Sequence, residues 1–280
     1  MGITKKIKEM AIITLLTDFG LEDAYVGIVK GVILSINPSV TIVDISHNIT
    51  PQDLVRAAYL LETSYRFFAP GTLHVVVVDP GVGGGRSIVG VEVKGHRFLA
   101  PDNGVLTAIL AEGTADRVVR VENSRFFLDP VSRTFHGRDI FAPVAAHLSM
   151  GLDLEELGPV TESGELMRLR LPQPAFAEAG EIIGVVVTAD RFGNLVTNIR
   201  ERDMVELRNP DDTSDLIIQI GGKSIRGISD SYSAAAPGRL LAIMGSTGRL
   251  EISVNCGNAS RFCKAGPGGT VRIKRGASIQ

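Results

Sequence analysis

Residues 75–78 are four consecutive valines, and they run into Asp79-Pro80-Gly81-Val82-Gly83-Gly84-Gly85-Arg86. Successive side chains of a β-strand point to opposite faces of the sheet. A run that is apolar at every position therefore belongs where both faces are covered, which selects a sheet enclosed by helices. A buried strand that empties into a glycine-rich loop also nominates a ligand site. Open α/β sheets bind ligands beyond the carboxyl ends of their strands.

The neighbouring sequence carries the same alternation. AIITLLTDF (11–19) reads as a buried strand, and residues 23–36 place apolar positions at helical spacing until Asn37-Pro38. TIVDIS (41–46) is a second strand. A helix is expected over 51–67, with Pro51 in its first turn and Thr50 as its cap. LHVVVVD (73–79) is the third strand. IVGVEV (88–93) and RFLAPD (97–102) follow, joined by a Lys94-Gly95 hairpin turn, with further helices near 103–112 and 138–149. Residues 1–168 are thus expected to form an α/β/α three-layer N-terminal domain with a mainly parallel sheet. The prolines and lack of periodicity over 169–180 read as a linker. From 181 to 280 the segments EIIGVVVTAD, LIIQIGG, SIRGI, LLAIMG, RLEISV and TVRIKR are short, closely spaced strands, as in a small antiparallel β-barrel domain.

Charge and composition narrow the partners. A formal net charge of −2 over 280 residues offers no electrostatic case for nucleic acid or an anionic membrane. No apolar run approaches the roughly eighteen residues needed to span a bilayer. The basic start, MGITKKIKEM, lacks a cleavage site and reads as a lead-in to the first strand. Cys256 and Cys263 fit no common zinc spacing, so they read as free thiols in a reducing cytosol, and the chain as cytoplasmic with no metal.

Strand ends nominate Asp18, Asp44 and the Asp79–Arg86 loop. The loop lacks the lysine of a phosphate-binding GxxxxGK[ST] and leads into a strand, while Asp18 and Asp79 would repel phosphate. That disfavours an enzyme of nucleotide phosphates. Two carboxylates suit a cation or a sugar diol. SRTFHGRDIFAP (132–143) places His136 and Arg138 ahead of a helix, and of the five histidines only His47 and His136 fall in loops. DRFGNLVTNI (190–199) offers Phe192 as a flat face and Asn194 as donor and acceptor, or a plain turn with Gly193 at positive φ. GSTGRLEISVNCGNA (245–259) is a glycine-flanked turn whose backbone could read the edge of a base.

Together TDFGLEDAYVG, VVDPGVGGGRSIV, FHGRDIFAP, DRFGNLVTNI and GSTGRLEISVN resemble the S-adenosylmethionine hydroxide adenosyltransferase family, over about residues 11–275. The family is related to enzymes that make 5′-halogenated deoxyadenosines. The resemblance implies hydrolysis of S-adenosylmethionine to adenosine and L-methionine. It also implies homotrimers whose active sites lie between one subunit's N-terminal domain and its neighbour's barrel. By the same resemblance Asp79, Arg86 and His136 hold the nucleophilic water. Asp18 binds the ribose diol and Asp23 the methionine amino group. Asp190, Phe192, Asn194, Tyr232, Ser246, Glu251 and the backbone near Val254 make further substrate contacts. The halogenating relatives carry tyrosine and threonine where this chain has Asp79 and glycines, and a buried carboxylate would repel a halide. The alternatives are a 5′-halogenase and a non-catalytic S-adenosylmethionine or adenosine binder. In the chemistry so implied, Arg86 and a protonated His136 stabilise hydroxide with Asp79 orienting both, or His136 or Asp79 acts as general base. The glycines are expected to let the backbone pass close to the substrate's C5′.

Overall fold

The structure, a computed structural model, describes residues 11–113, 115–177, 180–205, 207 and 216–276. The chain divides into two compact units between Arg170 and Leu171.

The first unit contains, in chain order, β1 (Ile12–Thr17), α1 (Tyr25–Ile36), β2 (Thr41–Ser46), α2 (Leu54–Ser64), β3 (Leu73–Val77), β4 (Ile88–Val93), β5 (His96–Pro101), α3 (Thr107–Leu110), β6 (Arg117–Arg120) and α4 (Ala142–Ser149). The sheet order is β2-β1-β3-β5-β4-β6. The valine run explains why β3 is central. Val75 and Val77 pack into one core with Ile13, Leu15, Val29 and Ile33 of α1 and Val144 of α4. Val76 and Val78 pack into a second core with Leu16, Ala57 and Leu61 of α2 and Ile109 of α3. Each buried valine contributes on the order of 1.5–3 kcal/mol.

Parallel pairing holds for β1 with β2, β1 with β3 and β3 with β5, while β4 runs antiparallel to both β5 and β6. The cause of the reversal is local. Lys94 (φ 51°) and Gly95 (φ 76°) both take positive φ, the signature of a two-residue hairpin turn, and a hairpin can only make antiparallel neighbours. The sheet is therefore parallel-rich and mixed.

Three helical expectations change. The cap of α2 is Asp53, whose carboxylate accepts the Arg56 N–H at 2.9 Å. Thr50 lies in the turn before it, because Gln52 (φ 69°) interrupts the helical path. Only Thr107–Leu110 of the segment 103–112 is helical, since Gly104 (φ 90°) holds the chain in a turn. The helix expected over 138–149 opens as a π-turn, Gly137–Phe141, before α4.

The second unit contains β7 (Ala175–Ala177), β8 (Glu181–Ala189), β9 (Leu195–Arg200), β10 (Leu216–Ile220), β11 (Lys223–Arg226), β12 (Leu240–Met244), β13 (Arg249–Val254), α5 (Ala259–Cys263) and β14 (Thr270–Arg275). Its antiparallel sheet runs β11-β10-β14-β8-β9-β13-β12. One bridge between Ser229 and Ile243 brings the chain after β11 onto β12, so the sheet almost closes on itself. Ile182, Val186, Leu195, Ile199, Ile218, Ile252 and Ile273 fill the interior. The segment 169–180, expected to be a linker, includes β7, which pairs with β8, and the second half of DRFGNLVTNI forms strand β9.

At the amino ends of the first unit's strands lies a buried polar pair. His74 Nδ1 bonds Thr14 Oγ1 at 2.8 Å, and His74 Nε2 bonds His96 Nδ1 at 3.2 Å. Burial, and secondly His96, lowers the His74 pKa from 6.5 to about 3, and burial lowers that of His96. Between those values the unfolded chain binds more protons than the folded one. The stability is fully present above pH 6.5 and is lost as pH falls toward about 3. Thermal melts between about pH 7.5 and about pH 4.5 should show a falling midpoint, with a shallower slope in His74→Gln. Equal slopes would assign the acid sensitivity to other groups.

Candidate active site

In the first unit, β1 and β3 are parallel neighbours in the register Thr17 to Val77. Asp18 and Asp79 therefore leave adjacent strand ends at almost the same level. Asp79 is clamped by Arg86. Nε lies 2.9 Å from Oδ2 and 3.1 Å from Oδ1, and Nη2 lies 2.5 Å from Oδ2. The two side chains are only 4% and 12% exposed, so this two-pronged pair is held away from water, where geometry of this quality is needed to offset desolvation. Asn103 Nδ2 donates to the Val78 carbonyl at 2.8 Å and fixes the strand end that carries Asp79.

Arg86 reaches past Asp79 to His136, with Nη2 2.7 Å from Nδ1. A guanidinium has no acceptor, so Nδ1 accepts, and the neutral imidazole carries its hydrogen on Nε2. Burial first, and then Arg86, lowers the His136 pKa, with Asp79, Asp139 and the Ser132 backbone pulling the other way. The loop around His136 is closed by Asp139, which accepts the Ser132 N–H at 2.8 Å and the Arg138 guanidinium at 2.5 and 3.0 Å. Burial alone would raise the Asp139 pKa, but these donors outweigh it and lower it. His136 thus stands at the mouth of the π-turn, a distortion that recurs at functional sites.

The glycine loop has a reason within the fold itself. Gly83 (φ 74°) lies so close to the 131–136 loop that a Cβ there would run into the Arg133 carbonyl oxygen. Gly85 has open space around it. Glycine is therefore required where the Asp79 and His136 loops press together.

Asp18 Oδ2 accepts the Gln52 N–H at 2.8 Å, while Oδ1 makes no hydrogen bond among the described residues. Asp23 is exposed, two residues before α1. No group of three or more His, Cys, Asp or Glu among the described residues is placed to hold a metal ion.

In the second unit a cavity of about 670 Å³ is lined by Asp190, Phe192, Asn194, Tyr232 and Val254. That is within the usual range for a small-molecule pocket. The β8–β9 turn builds one wall. Asp190 accepts the Asn194 N–H at 2.8 Å and its Nδ2–H at 2.8 Å, so the carboxylate and carboxamide are locked together. Gly193 (φ 86°) takes the expected positive φ, and a Cβ there would collide with Asn258. Phe192 stands 76% exposed beside the opening. Asn255, Cys256, Gly257 and Asn258 complete the lining. Of the stretch 245–259, Val254 at the end of β13, singled out by the resemblance, lines the cavity, and the chain leaving β13 continues the wall, whereas the leading turn does not reach it. Ser246 is exposed in the leading turn, outside the cavity wall. Glu251 is buried against Gly245 and accepts the Tyr232 hydroxyl at 3.2 Å, so it braces the wall through Tyr232. Burial first, and Asp190 as well, raises the Glu251 pKa.

Gly83→Ala is expected to destabilise the protein by about 1–3 kcal/mol through the forced backbone shift, and Gly85→Ala by less than about 0.5 kcal/mol. Chemical denaturation of both variants measures the difference. Equal losses would mean that the Arg133 approach is unimportant.

The family models described as SAM hydroxide adenosyltransferase N-terminal domain and C-terminal domain match residues 13–158 and 184–272. A protein of Thermus thermophilus named (R)-S-adenosyl-L-methionine hydrolase is 37% identical, over 92% of this chain and 97% of its own length. One of Methanocaldococcus jannaschii with the same name is 32% identical over 94% and 95%. A fluorinase of Actinoplanes is 31% identical over 69% of this chain and 73% of its own. The crystal structure of an uncharacterized conserved protein from Thermotoga maritima is 40% identical, covers 94% of this chain and all of that one, and superposes with a TM-score of 0.86.

Proposed function

Starting from the fact that this chain belongs to the SAM hydroxide adenosyltransferase family, we propose that it hydrolyses S-adenosyl-L-methionine to adenosine and L-methionine. Water attacks C5′, the C5′–S bond breaks with its electrons going to sulfur, and the proton of the water is released to solvent. The observation that carries this reading is the unbroken chain Asp79–Arg86–His136 beside the free oxygen of Asp18.

The sulfonium is already a good leaving group, so the protein has to place one water in line and stabilise it as it becomes hydroxide. Arg86 is always charged and is aimed by Asp79. Its Nη1, which makes no hydrogen bond among the described residues, and the Nε2–H of His136 are donors suited to that oxygen. The geometry counts against a general base. The Asp79 carboxylate is taken up by Arg86, and the His136 Nδ1 lone pair accepts from it. Alignment, which supplies up to roughly 7–11 kcal/mol in well-ordered reactions, and electrostatic stabilisation then do most of the catalysis.

Asp18 takes the ribose diol, and Asp23 the methionine amino group. The cavity of the second unit takes the adenosine. Phe192 and the backbone at Val254 lie against the base, Asp190 and Asn194 offer polar contacts, and Tyr232 is braced by Glu251. Ser246 contacts the methionine end. The functional unit is a cytoplasmic homotrimer in which one subunit's N-terminal domain meets its neighbour's barrel, and no metal or other cofactor takes part.

Purified protein incubated with the (R) form of S-adenosylmethionine in chloride buffer should yield adenosine and methionine. 5′-Chloro-deoxyadenosine would support the halogenating reading instead, and bound but unchanged substrate the binder. Arg86→Lys should lower kcat by about 10²–10³, the size of effect seen on losing a preorganised donor; undiminished turnover would refute the planar charge. Because the His136 pKa is lowered, its ring stays neutral at neutral pH. The acid limb of kcat/KM should therefore fall below pH 6.5. Mixing inactive Arg86→Ala and Phe192→Ala proteins should restore part of the activity if sites are shared between subunits, and none if each chain is self-sufficient.

A further inference from the structure

Beneath Asp18 runs a second chain of polar groups that the proposed reaction does not use directly. Thr17, the last residue of β1, is buried, and its Oγ1 lies 2.8 Å from His47 Nδ1. His47 is itself 3% exposed. Its Nε2 lies 3.0 Å from Asp44 Oδ1 without a well-aligned hydrogen bond, so that link is chiefly electrostatic. Asp44 Oδ2 takes Lys30 Nζ at 2.6 Å. Burial alone would raise the Asp44 pKa, but Lys30 and His47 lower it, which keeps this carboxylate ionised.

The donors then run one way. An ionised Asp44 draws the imidazole hydrogen to Nε2, leaving Nδ1 to accept the Thr17 hydroxyl. The lone pairs of Thr17 Oγ1 are left for the Phe19 N–H, which approaches to 3.3 Å. The His47 carbonyl accepts the Gly20 N–H at 2.8 Å. Residues 17–20 are thus held to His47 on both sides of Asp18. The Phe19 ring in turn meets Phe135 edge-on at 5.9 Å, and its tip is 3.1 Å from the Cβ position of Gly137, next to His136. A histidine serving only to fill a core has no need to link a surface ion pair to the loop that carries a site carboxylate.

We infer that His47, acting through the Thr17 hydroxyl, is a positioning residue that sets Asp18 for the ribose hydroxyls of the substrate. This rests on the reading of Asp18 as the ribose contact. The test compares Thr17→Val, which removes the hydroxyl at constant shape, with Thr17→Ser, which keeps it. His47→Asn, whose amide can still accept from Thr17, is the third variant. The probes are adenosine and 2′-deoxyadenosine, with affinities from calorimetry, alongside turnover of S-adenosylmethionine.

Thr17→Val should weaken adenosine binding and raise KM by about 3–10-fold, the value of one buried hydrogen bond, with kcat changed far less. Thr17→Ser and His47→Asn should recover most of the loss. The penalty should be smaller on 2′-deoxyadenosine, where one of the two hydroxyls that Asp18 serves is missing. Equal penalties on both nucleosides, or none on either, would overturn the inference and leave His47 a structural residue. If Thr17→Val does not fold, the same comparison between His47→Asn and His47→Leu decides. Adenosine binding without turnover of S-adenosylmethionine by the unaltered protein would overturn the hydrolase reading alone. Failure to bind adenosine together with no turnover of S-adenosylmethionine would overturn both.

Discussion

Arg86 held by Asp79 in near-dry surroundings is the interaction on which the rest of the first unit turns. A buried ion pair is tolerable only when both partners are fixed and their remaining polar atoms are used. The valine strand supplies the fixed point, since Val75–Val78 lock β3 from both faces and deliver Asp79 at its end. The glycine loop returns Arg86 to that carboxylate, and the close approach at Gly83 ties the returning loop to the one that bears His136. The charge of Arg86 then helps keep His136 neutral and selects its tautomer. Each step follows from placing a permanent charge where water cannot screen it.

The second unit solves a different physical problem. Its cavity wall includes a tight hairpin turn and the chain leaving β13, with two aromatic side chains, Phe192 and Tyr232, and few free charges. Asp190 is largely occupied by Asn194, and Glu251 is buried beneath Tyr232, so the carboxyl groups near the cavity act on its shape as much as on its potential. Such a surface suits a flat, neutral heterocycle. The strand ends of the first unit suit a hydroxyl-rich, cationic ligand instead.

Within the first unit the two ends of the sheet differ in kind. At the amino ends, His74, His96 and Thr14 form a closed set buried among aromatic rings, where burial forces the imidazoles to stay neutral. At the carboxyl ends the polar groups keep open valences, as at Asp18 Oδ1. Asp44 and His47 show how a histidine can sit between the two classes, buried yet joined to a surface ion pair.

Periodicity made the central strand, the enclosing helices and the many-stranded second unit legible, because burial on both faces leaves no other home for a valine run. The Lys94-Gly95 turn was legible too, since backbone conformation there depends on two adjacent residues. Motif order pointed to Asp79 and Arg86, seven positions apart, and to His136, fifty positions beyond Arg86. Their joint geometry, including which nitrogen of His136 is free, was decided by tertiary structure, because a hydrogen-bond direction depends on what the fold brings opposite each atom. The same holds for Gly83, whose need for glycine comes from the carbonyl of a residue fifty positions away. It holds for Asn255–Asn258 and for Glu251 as well. Sequence by itself determined which segments are buried and which polar residues fall at strand ends and in loops. Only the folded chain decided which of those residues face a cavity and which brace its wall, since side-chain direction at a strand end is set by long-range packing.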